Sequence, residues 1–235
     1  MIFSFSRLQL YNTCQKRFYF KYILNLKDIT TKPLALGKAV HKGIEAIIKG
    51  STFENAILEG YTECDFHKDV SINEISKLVE NAPVYKNQGE TEVYFCFPLS
   101  DSPSSPKLQG YIDLVTDREF KDWKSNWRTY SVMDNHQLSL YAWAISKMKN
   151  KEIVLGSLYF LRYRKEFKHF FTIKEMNEAR KWALGIANEI NSKRNVLDIL
   201  PDKGNDLFPS SPSSACSHCP FAIECYYSKK TKIGA

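Results

Sequence analysis

Residues 107–124 read KLQGYIDLVTDREFKDWK. Two-residue alternation and β-branched or aromatic content predict strands over Lys107–Val115 and Glu119–Lys124. Side chains two apart on a strand share a face, so Asp122 and Lys124 point the same way. A hairpin return brings Asp113 beside them. Two carboxylates and a lysine then converge, the combination that phosphodiester hydrolysis uses. Hard oxygen ligands hold Mg²⁺ or Mn²⁺, the metal polarises a phosphate and lowers the pKa of bound water, and a lysine steadies the nucleophile or the developing charge. An isolated D-x-K also suits two solvated strand-end residues, so the weight falls on its surroundings.

Upstream, Leu34–Ile48 reads as an amphipathic helix through Leu36, Val40, Ile44 and Ile47. Gly37, His41 and Glu45 follow one another at four-residue spacing and share one of its faces. A lone helical histidine is usually a packed or surface residue; His41 gains interest from lying ahead of the carboxylate strands. Residues 52–86 hold two more helical patterns and Glu92–Phe97 a strand, with the Ser/Pro/Asp-rich Leu99–Pro106 as a loop. Downstream, a helix over Met133–Met148 carries Gln137 and Tyr141 one turn apart, suited either to amphipathic packing or to binding phosphate or base. Ile153–Arg162 and Phe167–Thr172 form a hairpin, followed by a helix over Lys174–Lys193. Nearer the ends, Ser6–Tyr22 predicts a helix with Cys14 on its flank, and Asp202–Ala215 a surface linker. This order of helices and strands indicates an α/β core with a mixed sheet.

The chain has 235 residues, and its 43% hydrophobic content can bury a full core as one domain. A formal charge of +7 draws polyanions towards the surface. No charged segment leads into an apolar run at the N-terminus, and no apolar stretch approaches the roughly 20 residues that span a bilayer. The expectation is a soluble, cytoplasmic protein without a membrane partner. Six cysteines in such a chain suit a reducing compartment and metal ligation. Cys64 and Cys96 read as ordinary thiols. Cys216-x-x-Cys219 suits zinc or an iron-sulfur cluster; the lone Cys14 and the five residues before Cys225 favour a four-cysteine [4Fe-4S] cluster over two compact zinc-binding pairs.

Taken together, Phe5-Ser6-x-Leu8-x-x-Tyr11-x-x-Cys14-x-x-Arg17-Phe18, Gly37-x-x-x-His41-x-x-x-Glu45, Gly110-x-Ile112-Asp113, Asp122-x-Lys124 and Gln137-x-x-x-Tyr141 resemble the RecB-like branch of the PD-(D/E)xK nucleases. The closing Cys216-x-x-Cys219-x5-Cys225 is similar to the iron-sulfur subset, which includes the CRISPR-associated exonuclease of spacer acquisition and the nuclease domain of AddB-type helicase-nucleases. The likeness runs from Phe5 to Cys225. It implies a restriction-endonuclease-like α/β core with a mixed central sheet flanked by helices. The layout it implies is a single nuclease domain over 1–235, with a core at 34–200, a helical insertion at about 51–88, and an iron-sulfur region from 1–30 and 201–230.

The resemblance further implies that His41, Asp113, Asp122 and the main-chain carbonyl of Trp123 ligate the catalytic Mg²⁺ or Mn²⁺. Lys124 then acts in catalysis, Gln137 and Tyr141 help bind DNA and organise the site, and Cys14, Cys216, Cys219 and Cys225 hold the cluster in a structural role. Two positions depart from the family pattern: Asp122 stands where cluster-containing relatives often have Glu, and Gln15 where a proline commonly follows the first cysteine. The expected activity is exonucleolytic, on single-stranded DNA or DNA ends. No Gly-x-x-x-x-Gly-Lys-Ser/Thr loop is present, so strand opening falls to a partner such as a helicase, and an integrase is the alternative partner. Two rival readings are an RNA-directed nuclease and a non-catalytic or partner-activated DNA-binding subunit of a recombination, repair or CRISPR adaptation complex.

Overall fold

The computed structural model describes residues 1–230, with side chains through Ser228; residues 231–235 of the expected 1–235 domain lie outside the described residues. In chain order the elements are β1 (Ile2–Phe3), α1 (Phe5–Thr13), α2 (Gln15–Phe18) running into a wide helical turn over Tyr19–Ile23, α3 (Lys32–Lys49), α4 (Phe53–Glu63) and α5 (Ile72–Glu80). There follow β2 (Glu90–Pro98), β3 (Lys107–Val115), β4 (Glu119–Lys124), α6 (Gln137–Lys149), β5 (Ile153–Phe160), β6 (Lys165–Thr172), α7 (Ile173–Ile199), α8 (Gly204–Leu207) and α9 (Ala222–Lys230). The chain forms two compact units. One comprises Thr30–Cys96 and Gly110–Arg180, and the other Met1–Ile29, Phe97–Gln109 and the chain from Lys181 onward.

The first unit is built on a mixed sheet. β3 pairs antiparallel with β4 through Leu114–Lys121 and Val115–Phe120, β4 lies parallel to β5 over its whole length, and β5 turns back antiparallel into β6. β2 pairs with β3. Parallel neighbours need a crossover, and α6 supplies it between β4 and β5. Its residues Leu138–Ile145 are all buried, as expected of a helix covering a sheet face. Ala35, Leu36, Ala39, Val40 and Ile44 of α3 pack into a core with Ile75, Leu78 and Val79 of α5, and with Leu114, Trp123 and Leu161. α4 reaches α3 at Gly60, where a Cβ would stand 2.3 Å from the Ala39 carbonyl oxygen; only a residue without one permits that approach.

The second unit gathers aromatic side chains. β1 pairs in parallel with Lys107 and Leu108. Phe208 is fully buried and stacks on Tyr19 at 5.2 Å and on Phe18 at 6.4 Å, while Tyr11 donates its hydroxyl to Glu189 at 2.6 Å. The expected helix over Ser6–Tyr22 is broken at Cys14, whose backbone is extended (φ −158°, ψ 105°). The Lys16 N–H leaves the helical pattern to bond Pro209 O at 3.0 Å, and its ammonium bonds Asn205 O and Oδ1, both at 2.9 Å. Tertiary hydrogen bonds therefore override local helix propensity. The same contacts correct the reading of Asp202–Ala215 as a surface linker. The segment contains α8 and inserts Phe208, whose burial is worth about 2 kcal/mol.

Most remaining boundaries shift by a few residues. α6 begins at Gln137, not Met133, because Asp134 Oδ2 takes the Ser131 N–H at 2.8 Å and Asn135 Oδ1 the Gln137 N–H at 2.8 Å. Such side-chain bonds hold a turn in place of a helix start. α7 runs six residues beyond Lys193, and among the described residues no helix is long and apolar enough to cross a membrane.

Candidate metal and active site

The site lies in the first unit, where the β3–β4 ladder opens. One step beyond the Leu114–Lys121 pair the strands part, and the Asp113 carboxylate occupies the gap, accepting the Trp123 N–H at 2.7 Å. Alternation along β4 sends the Trp123 ring into the core, where it meets Tyr159 edge-on, and turns Asp122 and Lys124 the other way. Trp123 thus anchors the strand through its ring while its backbone serves the site: its carbonyl bonds His41 Nε2 at 2.9 Å. The other His41 nitrogen, Nδ1, lies 3.3 Å from Asp113 Oδ1.

On the other side, Lys124 Nζ lies 2.6 Å from Asp122 Oδ2 and donates to Gln137 Oε1 at 3.0 Å. Gln137 Nε2 donates to Asp122 Oδ1 and to the Tyr141 hydroxyl, both at 3.2 Å. The helix start at Gln137 puts this amide in the first turn of α6, one turn ahead of Tyr141. Gly37, His41, Glu45, Asp113, Asp122, Trp123, Lys124, Gln137 and Tyr141 all line one cleft of about 590 Å³. The structure brings together every residue of the sequence-predicted nuclease site.

It also adds one. Glu92 of β2 lines the cleft, and one ligand atom each from His41, Glu92 and Asp113 lie within 4.8 Å of one another. Among the described residues no other three His, Cys, Asp or Glu side chains do so. Glu92 was legible as a strand residue but carried no motif. The signal was the β2–β3 pairing, which sets Glu92 and Asp113 on neighbouring strands. Its backbone is left-handed (φ 50°), an uncommon state for glutamate that fits strain held at a functional site.

The electrostatics follow from burial of several charges together. Burial raises the Asp122 and Glu92 carboxyls above their ordinary range; Asp113 raises both further, and Lys124 pulls Asp122 back. Burial works the same way on Asp113, but His41 and the Trp123 N–H outweigh it and hold that carboxyl low. For His41, burial opposes the charged ring, yet Asp113 and then Asp122 prevail and hold it up at about 9. Lys124 is likewise held above the ordinary lysine range by Asp122 against its burial. The Glu92, Asp113 and Asp122 carboxyls and the Trp123 carbonyl therefore share one cleft with the His41 ring, whose Nδ1 lies beside Asp113. This donor set fits a hard divalent cation, whose binding would require the neutral ring.

The four cysteines lie in the second unit. Cys14, Cys216, Cys219 and Cys225 line one cavity of about 280 Å³ with Arg17, Phe20 and Phe221. No three of them approach as closely as the His41, Glu92 and Asp113 ligand atoms. The buried Arg17 Nε has no hydrogen-bond partner. A donor left unpaired beside four thiols fits an anionic occupant of that cavity.

A family model described as the PD-(D/E)XK nuclease superfamily matches residues 2–226. No curated protein matches the chain.

Proposed function

This chain belongs to the PD-(D/E)XK nuclease superfamily, and we propose that it is a metal-dependent deoxyribonuclease acting as an exonuclease on single-stranded DNA or DNA ends. Membership implies a phosphodiester hydrolase with a nucleic-acid substrate. The observation that supports metal-dependent hydrolysis is the convergence of His41, Glu92, Asp113, Asp122 and Lys124 on one cleft. His41, Asp113, Asp122 and the Trp123 carbonyl would hold Mg²⁺ or Mn²⁺, with Glu92 as a further ligand or second-layer acceptor. When bound, the ion would polarise the scissile phosphate and lower the pKa of water.

The chain's own groups do the positioning. Lys124, paired with Asp122 and Gln137 at the cleft, would present its ammonium to the phosphate or the attacking water. Gln137, tied to Asp122, Lys124 and Tyr141, fixes all three in register. Lys38 and Lys42, which also line the cleft, supply backbone affinity that falls with salt. In the second unit the four cysteines would hold a [4Fe-4S] cluster, with the Arg17 Nε–H donating to it. The cluster would tie residues about 200 positions apart and so restrain a very long loop. An integrase or helicase would supply opened strands, in recombination, repair or CRISPR adaptation. The test is a comparison of end-labelled single-stranded DNA, blunt duplex, closed circular DNA and RNA with Mn²⁺. Cleavage of the linear DNAs alone supports the proposal; equal cleavage of circles or RNA overturns the exonuclease or the DNA assignment.

A further inference from the structure

Three residues beyond the Asp122-x-Lys124 strand end, the chain exposes its most solvent-facing indole. Trp127 keeps 73% of its surface exposed, whereas Trp123 and Trp143 are buried and Trp182 is half-buried. An exposed tryptophan is unremarkable on a mobile loop, but this one is fastened from several directions. The Arg162 guanidinium lies 3.7 Å over the ring, and Arg162 Nε donates to Ser125 O at 2.8 Å. A second Arg162 nitrogen donates to Glu74 at 3.2 Å, and the Tyr163 hydroxyl donates to the Trp127 carbonyl. Arg162 covers one face of the indole, and the large remaining exposure leaves the other face open. Beside it Arg128, Thr129, Tyr163 and Lys165 line an open hollow of about 460 Å³, with both cations exposed.

We propose that Trp127 is a stacking platform for an unpaired base of the substrate strand, with Arg128 and Lys165 holding the neighbouring phosphates. The proposal rests on the nuclease reading and makes its substrate single-stranded. A rigid aromatic face stacks any base whose partner strand is absent, and adjacent cations track the backbone. A duplex keeps its base faces stacked internally and offers none to Trp127. Two residues, Ser125 and Asn126, separate Trp127 from Lys124, a reach of at most about 11 Å, so the platform lies near the strand being cut. Because Arg162 and Tyr163 already order the loop, little conformational freedom is lost when a base arrives. Ser125 and Asn126, which join the platform to β4, themselves line the catalytic cleft.

The test is binding without cleavage, in EDTA, with three probes: oligodeoxythymidine, an abasic oligonucleotide of the same length, and a blunt duplex. Oligodeoxythymidine should quench wild-type tryptophan emission, and Trp127→Phe should keep most of the affinity while losing most of the quench. Trp127→Ala should weaken oligodeoxythymidine binding about tenfold and leave the abasic probe unchanged. Equal oligodeoxythymidine affinity for wild type and Trp127→Ala, or full quenching retained in Trp127→Phe, would overturn the platform. Cleavage plays no part in this readout. A wild type that binds as expected but cuts nothing would overturn the nuclease reading and support the platform; one that cuts while Trp127→Ala binds normally would do the reverse.

Discussion

Loading a divalent ion into the cleft should expel a proton from His41, and this makes metal affinity steeply pH-dependent. In the metal-free protein His41 is held at about 9, against 6.5 for an ordinary imidazole. Ligation needs the neutral ring, and at pH 7 only about one site in a hundred offers it. The apparent affinity for Mn²⁺ should therefore rise about tenfold per pH unit between roughly pH 6.5 and 8.5, then level off above about 9. Calorimetric titration at pH 7 in two buffers of different ionisation heat should report close to one proton released per ion from this residue. The same shift acts on folding. Because the folded value lies above the unfolded one, the imidazolium stabilises the metal-free protein fully below about pH 6.5, and that contribution disappears as pH rises through about 9. The His41 side chain keeps 29% of its surface in contact with water, which reduces the contribution to about 2 kcal/mol. A pH-independent Mn²⁺ affinity, or an unchanged slope in His41→Ala, would refute the assignment of His41 as a ligand whose proton is displaced.

Asp122→Asn should leave the Lys124 ammonium without its counter-charge and cost about 2–4 kcal/mol in denaturant unfolding of the metal-free protein. Lys124→Met in that background should recover part of the loss, a coupling of about 1.5 kcal/mol or more, whereas simple additivity would show the pair to be unimportant. Gly60→Ala drives a Cβ against the Ala39 carbonyl and should lower Tm by about 5 °C, read by circular dichroism, with no change in Mn²⁺ affinity. Anaerobically purified protein should carry roughly four irons per chain with broad visible absorption, and Cys216→Ser should lose both; zinc in their place would discard the iron-sulfur assignment.

The site was more legible than the fold around it, because its parts repeat at short, rigid spacings. Four-residue steps on α3 and α6 and a two-residue step on β4 fix which side chains share a face, and these steps place His41, Asp122, Lys124, Gln137 and Tyr141 from local sequence. The ends of β3 and β4 fell where alternation put them. Glu92 escaped because its role depends on strand register, a long-range property that leaves no local pattern. The break at Cys14 escaped for a similar reason: Lys16 is drawn to Pro209 and Asn205, almost 200 residues away. Asp202–Ala215 misled because Pro and Ser fill its second half, while the single Phe208 decides where it packs.

If the carboxylates around His41 hold a divalent ion for DNA hydrolysis, activity must depend on both. The direct measurement is cleavage of end-labelled single-stranded DNA by wild type and Asp113→Ala, each checked for folding by circular dichroism and each assayed with Mn²⁺ and with EDTA. Wild type should show Mn²⁺-dependent cleavage, abolished by EDTA and by Asp113→Ala, with DNA binding retained in the variant. Cleavage that persists in folded Asp113→Ala, or a folded, Mn²⁺-loaded wild type that leaves the DNA intact, would contradict it.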